Sequence, residues 1–135
     1  MMEITRESDY AVRCVLYLAG KRDRIAIIEE IAREMDVPRS FLAKILQKLA
    51  RASIVKSFRG IKGGFQLARS PGDITLLDVI EAAEGEIALN KCVLDGASCE
   101  RTAACSVHPV WVKIRRDFRD VLKRYTFDRL KARLQ

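Results

Sequence analysis

Apolar positions recur at steps of three and four residues in the first part of the chain, which predicts three short helices. Ser8 and Asp9 precede the first apolar run and form its predicted N-terminal cap, and the helix closes near Gly20. The second predicted helix runs from Ile27 to Met35, and the third from Pro38 to Ala52. A short helix, a tight turn and another helix predict a helix-turn-helix.

The third helix has two different faces. Its predicted buried stripe consists of Leu42, Ile45, Leu46 and Leu49. Its outward face carries Arg39, Ser40, Ala43, Lys44, Gln47 and Arg51. Small, polar and basic side chains are typical of a recognition helix that enters a major groove. We expect Ser40, Lys44 and Gln47 to reach base edges, and we include Arg39 in the DNA-binding set.

The pattern after the third helix changes to alternation at period two. Ile54–Phe58 and Phe65–Ala68 predict two strands, and the glycine-rich segment Arg59–Gly64 joins them as a hairpin loop. Because the glycine spacing matches neither phosphate-loop fingerprint, we interpret this hairpin as a wing. Arg59 is expected to enter a minor groove. The predicted phosphate contacts are Thr5, Arg6, Lys56 and Lys62.

The second half of the chain predicts three more helices. Thr75, with Asp78 as a weak capping box, opens a linker helix that stops at Gly85. The long helix Val107–Tyr125 has a longer apolar stripe than one small domain needs, so we interpret it as a dimerisation helix, with burial inside the monomer as the alternative. The stripe comprises Trp111, Ile114, Phe118, Val121, Leu122 and Tyr125. Residues 126–134 predict a last short helix. The acidic residues Glu81, Glu84 and Glu86 are interpreted as a solvated face.

Three of the four cysteines and the single histidine lie between these helices as Cys92-x6-Cys99-x5-Cys105-x2-His108. Three sulfur ligands and an imidazole so close together suit a metal or iron–sulfur site. Three cysteines cannot pair among themselves, and the chain start lacks a secretory apolar run, so we expect a reducing, cytoplasmic setting. Cys14 falls within the apolar pattern of the first helix and is predicted to be a small buried hydrophobe.

Charge and composition narrow the class of function. The 135-residue chain has a formal net charge of +7, and the stretch from Val37 to Gly72 has eight basic residues and no carboxylate. Such a one-sided stretch is a candidate phosphate-binding surface. No apolar run is long enough to predict a membrane span. Neither a C-x-x-C motif nor a plausible pair of catalytic carboxylates is present, so we do not expect an enzyme.

The predicted fold class is mainly α with a small β-hairpin wing: a winged helix-turn-helix followed by a long dimerisation helix. Four parts are predicted along the chain. They are a DNA-binding domain at 1–72, a linker helix at 73–90, a cysteine loop at 91–106, and the dimerisation and C-terminal helices at 107–135.

This order of elements resembles the IscR/NsrR-type winged-helix regulators over nearly the whole chain. The resemblance rests on Ile4–Thr5, Tyr10–Val12, Ser40–Leu42, Val55–Gly60, Gly63–Phe65 and Cys105–Trp111. Members of this group are dimeric bacterial repressors or activators, and some carry a labile iron–sulfur cluster in the loop before the dimer helix. The resemblance therefore implies Cys92, Cys99 and Cys105 as thiolate ligands.

The resemblance leaves two candidates for the fourth ligand. IscR-like members use a histidine three residues after the last cysteine, which is His108 here, and NsrR-like members use an N-terminal aspartate of the other subunit, here Asp9 of the partner subunit. We favour His108. A departure from the group is Ala43, where members that recognise two classes of DNA site carry glutamate, so we expect a single operator class.

The function implied is that of a transcriptional regulator, expected to be a repressor, that binds double-stranded operator DNA as a homodimer. Its [2Fe-2S] or [4Fe-4S] cluster is expected to sense nitric oxide, redox state or iron and cluster supply. Two alternatives stay open for the cysteine segment. One is a structural zinc site, whose ligand pairs usually have shorter spacings, and the other is a metal-free thiol switch.

Overall fold

The computed structural model describes residues 3–98 and 100–132. These residues form a mainly α-helical chain with one two-stranded antiparallel sheet. The helices are α1 (Arg6–Ala19), α2 (Ile28–Met35), α3 (Arg39–Arg51), α4 (Leu76–Glu84), α5 (Lys91–Leu94), α6 (His108–Lys123) and α7 (Phe127–Ala132), and the strands are β1 (Val55–Phe58) and β2 (Gly64–Leu67). Two 3-10 turns lie at Pro71–Asp73 and Gly96–Ser98. The predicted fold class is confirmed.

Helix α1 begins before its predicted cap. Thr5 is the N-cap residue, with an extended backbone, and its Oγ1 accepts a hydrogen bond from the Ser8 N–H at 3.2 Å. The prediction that Ser8 and Asp9 open the helix is therefore wrong. Threonine satisfies the free N–H groups of a first turn as a serine does, and Ser8 is itself buried. Pro38 occupies the N-cap position of α3 without a side-chain capping hydrogen bond, so that helix begins at Arg39 and not at Pro38.

The main core lies between α1, α2, α3, α4 and the hairpin. All four residues of the predicted α3 stripe are buried in it: Leu42, Ile45, Leu46 and Leu49. Cys14 is also fully buried, and burial raises the pKa of its thiol to about 12. A neutral thiol at physiological pH packs as a small hydrophobe, which confirms the prediction for Cys14.

The predicted hairpin is present, with its second strand shifted by one residue. Val55 pairs with Leu67, and Phe58 pairs with Gly64. Phe65 also forms a bridge to Ala26, with N···O distances of 2.9 and 2.8 Å, which attaches the hairpin to the segment before α2. Gly64 permits this close approach because its backbone φ is +154° and a Cβ atom there would lie 2.4 Å from the Ala26 oxygen.

A complete capping box starts α4. The Thr75 N–H donates to Asp78 Oδ2 at 3.0 Å, and the Asp78 N–H donates to Thr75 Oγ1 at 3.1 Å. The chain returns to the same place after α6, where the Phe127 N–H donates to the Ile74 oxygen at 3.1 Å. Phe127 is fully buried in the main core. The linker and the C-terminal helix are therefore both fixed to the winged-helix unit.

Helix α6 is amphipathic, and its apolar stripe is covered only in part: Trp111 and Ile114 are half-buried. Of the predicted stripe, Leu122 is buried, whereas Phe118, Val121 and Tyr125 are 40–47% exposed. The alternative that the monomer buries this stripe is therefore wrong for these three residues, because α4 and α5 are too short to cover a helix of 16 residues. No helix in the described part of the chain is long and apolar enough to cross a membrane.

Candidate nucleic-acid interface and cysteine segment

Helix α3 presents the predicted recognition residues to solvent. Ser40, Lys44 and Gln47 are all exposed, because they project opposite the four leucine and isoleucine side chains that fix α3 in the core. Arg39 is exposed as well, but its Nε donates to Glu29 Oε1 of α2 at 3.2 Å. Part of the Arg39 charge is therefore balanced within the chain.

The cationic surface is smaller than the sequence suggests. Among the eight basic residues of the carboxylate-free stretch, three pair with acidic residues from other parts of the chain: Arg39 with Glu29, Lys48 with Glu7, and Arg69 with Asp78. The remaining five have no carboxylate partner among the described residues, and all are exposed: Lys44, Arg51, Lys56, Arg59 and Lys62. These five residues, called here the cationic face, run from the outer side of α3 to the tip of the hairpin.

The hairpin tip is a tight turn with a fixed shape. The Gly63 N–H donates to the Gly60 oxygen at 2.9 Å, and Gly60 has a left-handed φ of +98°. A Cβ atom on Gly63 would lie 2.3 Å from the Phe58 oxygen, so the turn requires glycine there. Arg59 and Lys62 flank the tip and are exposed. This arrangement is that of a wing that can approach a DNA backbone.

The two predicted N-terminal contacts differ in their availability. Arg6 is exposed at the start of α1. The Thr5 hydroxyl is engaged within the chain, because it caps α1 and also donates to the Glu84 carboxylate. A phosphate contact by the Thr5 hydroxyl would have to replace the Glu84 contact.

The acidic residues near the end of α4 form a junction with α6, and their interpretation as a solvated face is wrong for Glu81, whose side chain is 22% exposed, whereas Glu84 and Glu86 are exposed. Arg119 of α6 donates to Glu81, and Arg115 donates to Glu86 at 3.4 Å and to the Ile87 oxygen at 2.7 Å. The junction could not be predicted from the sequence because the arginines lie 28 to 38 residues further along the chain than their partners.

The contacts of Lys48 are a second feature that was not predicted from the sequence. Although it belongs to α3, its ammonium group turns away from the cationic face and contacts α1 and α4. Lys48 Nζ lies 2.5 Å from Glu7 Oε1 and donates to the Ala83 oxygen at 3.0 Å. A cation at the carboxyl end of α4 also complements the helix dipole. The only sequence signal was the position of Lys48 beside the buried Leu49.

Two of the four predicted metal ligands lie together. His108, the first residue of α6, places Nδ1 3.3 Å from the Sγ atom of Cys92 in α5. Cys105 is half-buried, Cys92 and Cys105 are unpaired thiols, and Cys99 lies outside the described residues. Residues 3–98 and 100–132 contain no group of three or more His, Cys, Asp or Glu arranged to hold a metal ion.

The Cys92–His108 contact brings a thiol and an imidazole nitrogen within 3.3 Å of each other. Both groups are ligand types of iron–sulfur clusters and of zinc, so the pair fits a metal centre held between α5 and the first turn of α6. By comparison, Asp9 is engaged on the surface of α1, where its Oδ2 accepts from Arg13 Nη2 at 2.8 Å.

The fold, the wing and the cationic face define a winged-helix DNA-binding protein. Residues 4–133 match the Rrf2 family, described as "Iron-dependent Transcriptional regulator", and the chain belongs to this family. It is therefore a DNA-binding transcriptional regulator and not an enzyme, and the family resemblance inferred from the sequence is confirmed.

Individual relatives support the same assignment. The chain is 39% identical to "Protein aau3" of Rhizobium meliloti, over 99% of this chain and 88% of that protein. It resembles the structure of CymR (YrzC), the global cysteine regulator of B. subtilis, with a TM-score of 0.76, 27% identity and coverage of 98% of both chains. It also shares the fold of T. potens IscR, with a TM-score of 0.78, 24% identity and coverage of 99% of this chain and 89% of that chain.

Proposed function

We propose that this regulator binds operator DNA as a homodimer and that an iron–sulfur cluster controls the binding. The proposed ligands are Cys92, Cys99, Cys105 and His108. The proposed action is repression, and the proposed signal is nitric oxide, redox state or the supply of iron and clusters. The observation that carries the proposal is the 3.3 Å approach of His108 Nδ1 to Cys92 Sγ.

The donor set also supports this proposal chemically. Thiolates bind iron–sulfur clusters, and replacing one thiolate by imidazole changes the charge and the reduction potential of the site. When bound, the cluster supplies iron–ligand bonds that respond to oxidation state. The family description as iron-dependent agrees with this choice of metal.

The ligand residues are well placed to influence the DNA-binding unit. Cys92 and His108 join α5 to the first turn of α6. Further along α6, Arg115 and Arg119 hold the acidic junction at the end of α4, and Lys48 of α3 holds the Ala83 oxygen from the other side. The position of α6 is thus linked to the recognition helix by polar contacts between successive elements.

The exposed side of α6 is the proposed dimer interface. Its apolar residues follow one another at steps of three and four: Val107, Val110, Ile114, Phe118, Val121 and Tyr125. Five of the six are 40–51% exposed, which is unusual for a continuous apolar stripe on a monomer. The same stripe on a second copy is complementary to it, as a two-fold interface requires. A dimer would hold two recognition helices at a fixed separation that matches two half-sites.

The proposed DNA contacts are those predicted from the sequence, with two adjustments. Ser40, Lys44 and Gln47 read the major groove, Arg59 enters the minor groove, and the backbone contacts are Arg6, Arg39, Lys56 and Lys62. Thr5 is a weaker candidate because its hydroxyl binds Glu84. Arg51 joins the set as an exposed member of the cationic face.

His108 is the favoured fourth ligand, since it already lies beside Cys92. Asp9 of the partner subunit is the alternative, and it would have to leave an ion pair with Arg13 to serve as a ligand.

The presence of the cluster and the identity of its fourth ligand can be tested together by anaerobic purification, iron and sulfide analysis and absorption spectra. We expect about equal amounts of iron and sulfide, and we expect His108→Ala to change the visible spectrum while Asp9→Ala leaves it unchanged. Colourless protein without iron would contradict the proposal, and an effect of Asp9→Ala alone would reassign the fourth ligand.

A metal-free thiol switch is the second candidate, and it is supported by the likeness to the structure of the oxidized form of Staphylococcus aureus CymR, with 26% identity and a TM-score of 0.71. It would use the same cysteines, so cysteine variants alone do not separate it from the cluster. Protein that lacks iron, sulfide and zinc but whose DNA affinity changes with a thiol oxidant would support this candidate. Colourless protein with one zinc ion per chain would indicate a structural zinc site instead.

A further inference from the structure

We propose that Ile61, at the tip of the wing, makes an apolar contact within the minor groove beside Arg59. This inference rests on the proposed approach of the wing to the minor groove and adds a contact of different chemistry. A wing with such a contact would recognise the deformability of a base step as well as the positions of the phosphates.

The Ile61 side chain makes no packing contact within the hairpin. Its relative exposure is 105%, so the side chain has no more contact with the protein than it would in an extended peptide. Turn positions favour Gly, Pro, Asn, Asp and Ser, and a β-branched residue gains nothing from this conformation. An aliphatic residue at the most exposed point of a tight turn therefore has no structural explanation.

The turn holds Ile61 in a defined position. Ile61 follows Gly60 within the turn that the 2.9 Å Gly63–Gly60 hydrogen bond closes, and Gly63 has no room for a Cβ atom. The hairpin itself is attached to Ala26 by two backbone hydrogen bonds. Because the turn and its base are both fixed, presenting the Ile61 side chain to a ligand costs little conformational entropy.

The neighbours of Ile61 identify the ligand as DNA. Arg59 and Lys62 lie on either side of it, both are exposed, and neither has a carboxylate partner among the described residues. With Arg59 inside the minor groove and Lys62 on a phosphate at its edge, the hydrocarbon of Ile61 between them lies over the groove itself. Proteins that bind this groove combine Arg or Lys with apolar side chains, including Ile, that partly unstack a base step. Pyrimidine–purine steps deform most easily, so they are the expected contact point.

The test begins with an operator selected in vitro from random duplexes by the wild-type protein. Ile61→Ala is then compared with Lys62→Ala, its exposed neighbour, and with Arg59→Ala, over a range of salt concentrations. We expect Ile61→Ala to weaken operator binding about tenfold, which corresponds to about 1.4 kcal/mol. Its salt slope should equal that of the wild type, whereas Lys62→Ala should reduce the slope by about one.

A second readout reports base unstacking directly. With 2-aminopurine placed at a pyrimidine–purine step under the wing, the wild-type protein should increase the fluorescence and Ile61→Ala should not. Wild-type affinity and fluorescence for Ile61→Ala would overturn the inference. If Arg59→Ala and Lys62→Ala also bind like the wild type, the wing does not contact DNA, and it is the proposed wing contact that fails.

Discussion

The winged-helix unit and the segment that contains α5 and α6 use their apolar residues in opposite ways. Helices α1 to α3 direct theirs into one continuous core, which also takes in Phe127 from the end of the chain. Helix α6 leaves most of its apolar side exposed and contributes only Leu122 to a small separate cluster with Leu77 and Ile80. The first region is thus complete within one chain, and the second has surface and ligand atoms available for other molecules.

This difference has a physical origin in the sequence between α4 and α6. Residues 95–106 are mostly small or polar and supply few side chains that could pack beneath α6. The segment that contains α5 and α6 is held chiefly by polar contacts. These include the hydrogen bond between Cys92 and His108 and the contacts of the α6 arginines with the acidic junction. A region fixed by a few polar contacts can change its arrangement at low cost, whereas a packed core cannot.

The largest expected effect comes from removing the same side chain in the two regions. Leu46 is fully buried in α3, and Leu94 of α5 is 48% exposed. We expect Leu46→Ala to lower the free energy of unfolding by about 2–5 kcal/mol, because it leaves a cavity in the core. Leu94→Ala should change it by less than about 0.5 kcal/mol. Urea unfolding of both variants measures the difference, and equal losses would contradict the comparison.

The next effect concerns the exposed side of α6. Phe118→Glu places a charge in the proposed dimer interface, while Arg116→Glu introduces the same side chain on the opposite side of the helix. We expect Phe118→Glu to be monomeric in sedimentation experiments and to bind operator about 100-fold more weakly, since two linked half-site contacts become independent. Arg116→Glu should remain a dimer. A dimeric Phe118→Glu variant would show that the interface lies elsewhere.

A smaller effect should separate two lysines of α3. Lys48→Met removes the contacts with Glu7 and the Ala83 oxygen, and we expect the free energy of unfolding to fall by about 1 kcal/mol because these groups are only partly exposed. Lys44→Met should leave the unfolding free energy unchanged and weaken DNA binding. Chemical denaturation measures the unfolding free energy of both variants, and binding titrations measure their DNA affinity. If the two lysines behave alike, Lys48 belongs to the cationic face after all.

The smallest effect is a pH dependence within the winged-helix unit. The hydrogen bond from Arg24 lowers the pKa of Glu30 from 4.5 to about 2. Since the folded-state pKa is the lower one, the Glu30 contribution to stability is complete above about pH 4.5 and is lost as the pH falls towards 2. We expect Glu30→Gln to lower the melting temperature at pH 7 and to converge on the wild type near pH 2. Parallel melting curves at all pH values would contradict this expectation.

The local features of the fold could be predicted because the residues that cause them are close together in the chain. The Thr75–Asp78 capping box, the buried stripe of α3 and the glycine-rich turn each depend on residues within a few positions of one another. The start of α1 was misplaced because Thr5 and Ser8 are both suitable caps, and only packing buries Ser8. The apolar stripe of α6 was predicted as a pattern, and only the structure shows that the monomer leaves three of its six residues exposed: Phe118, Val121 and Tyr125.

The sequence by itself determined the winged-helix architecture, the buried and exposed faces of α3 and the spacing of the cysteine segment. Only the tertiary structure decided which charges face solvent and which are paired within the chain. Lys48 and Arg69 looked equivalent to Lys44 and Arg59 in sequence, but acidic residues from distant segments pair with the first two. The reason is physical: periodicity and turn chemistry act over a few residues, whereas charges act across space between parts of the chain that folding brings together.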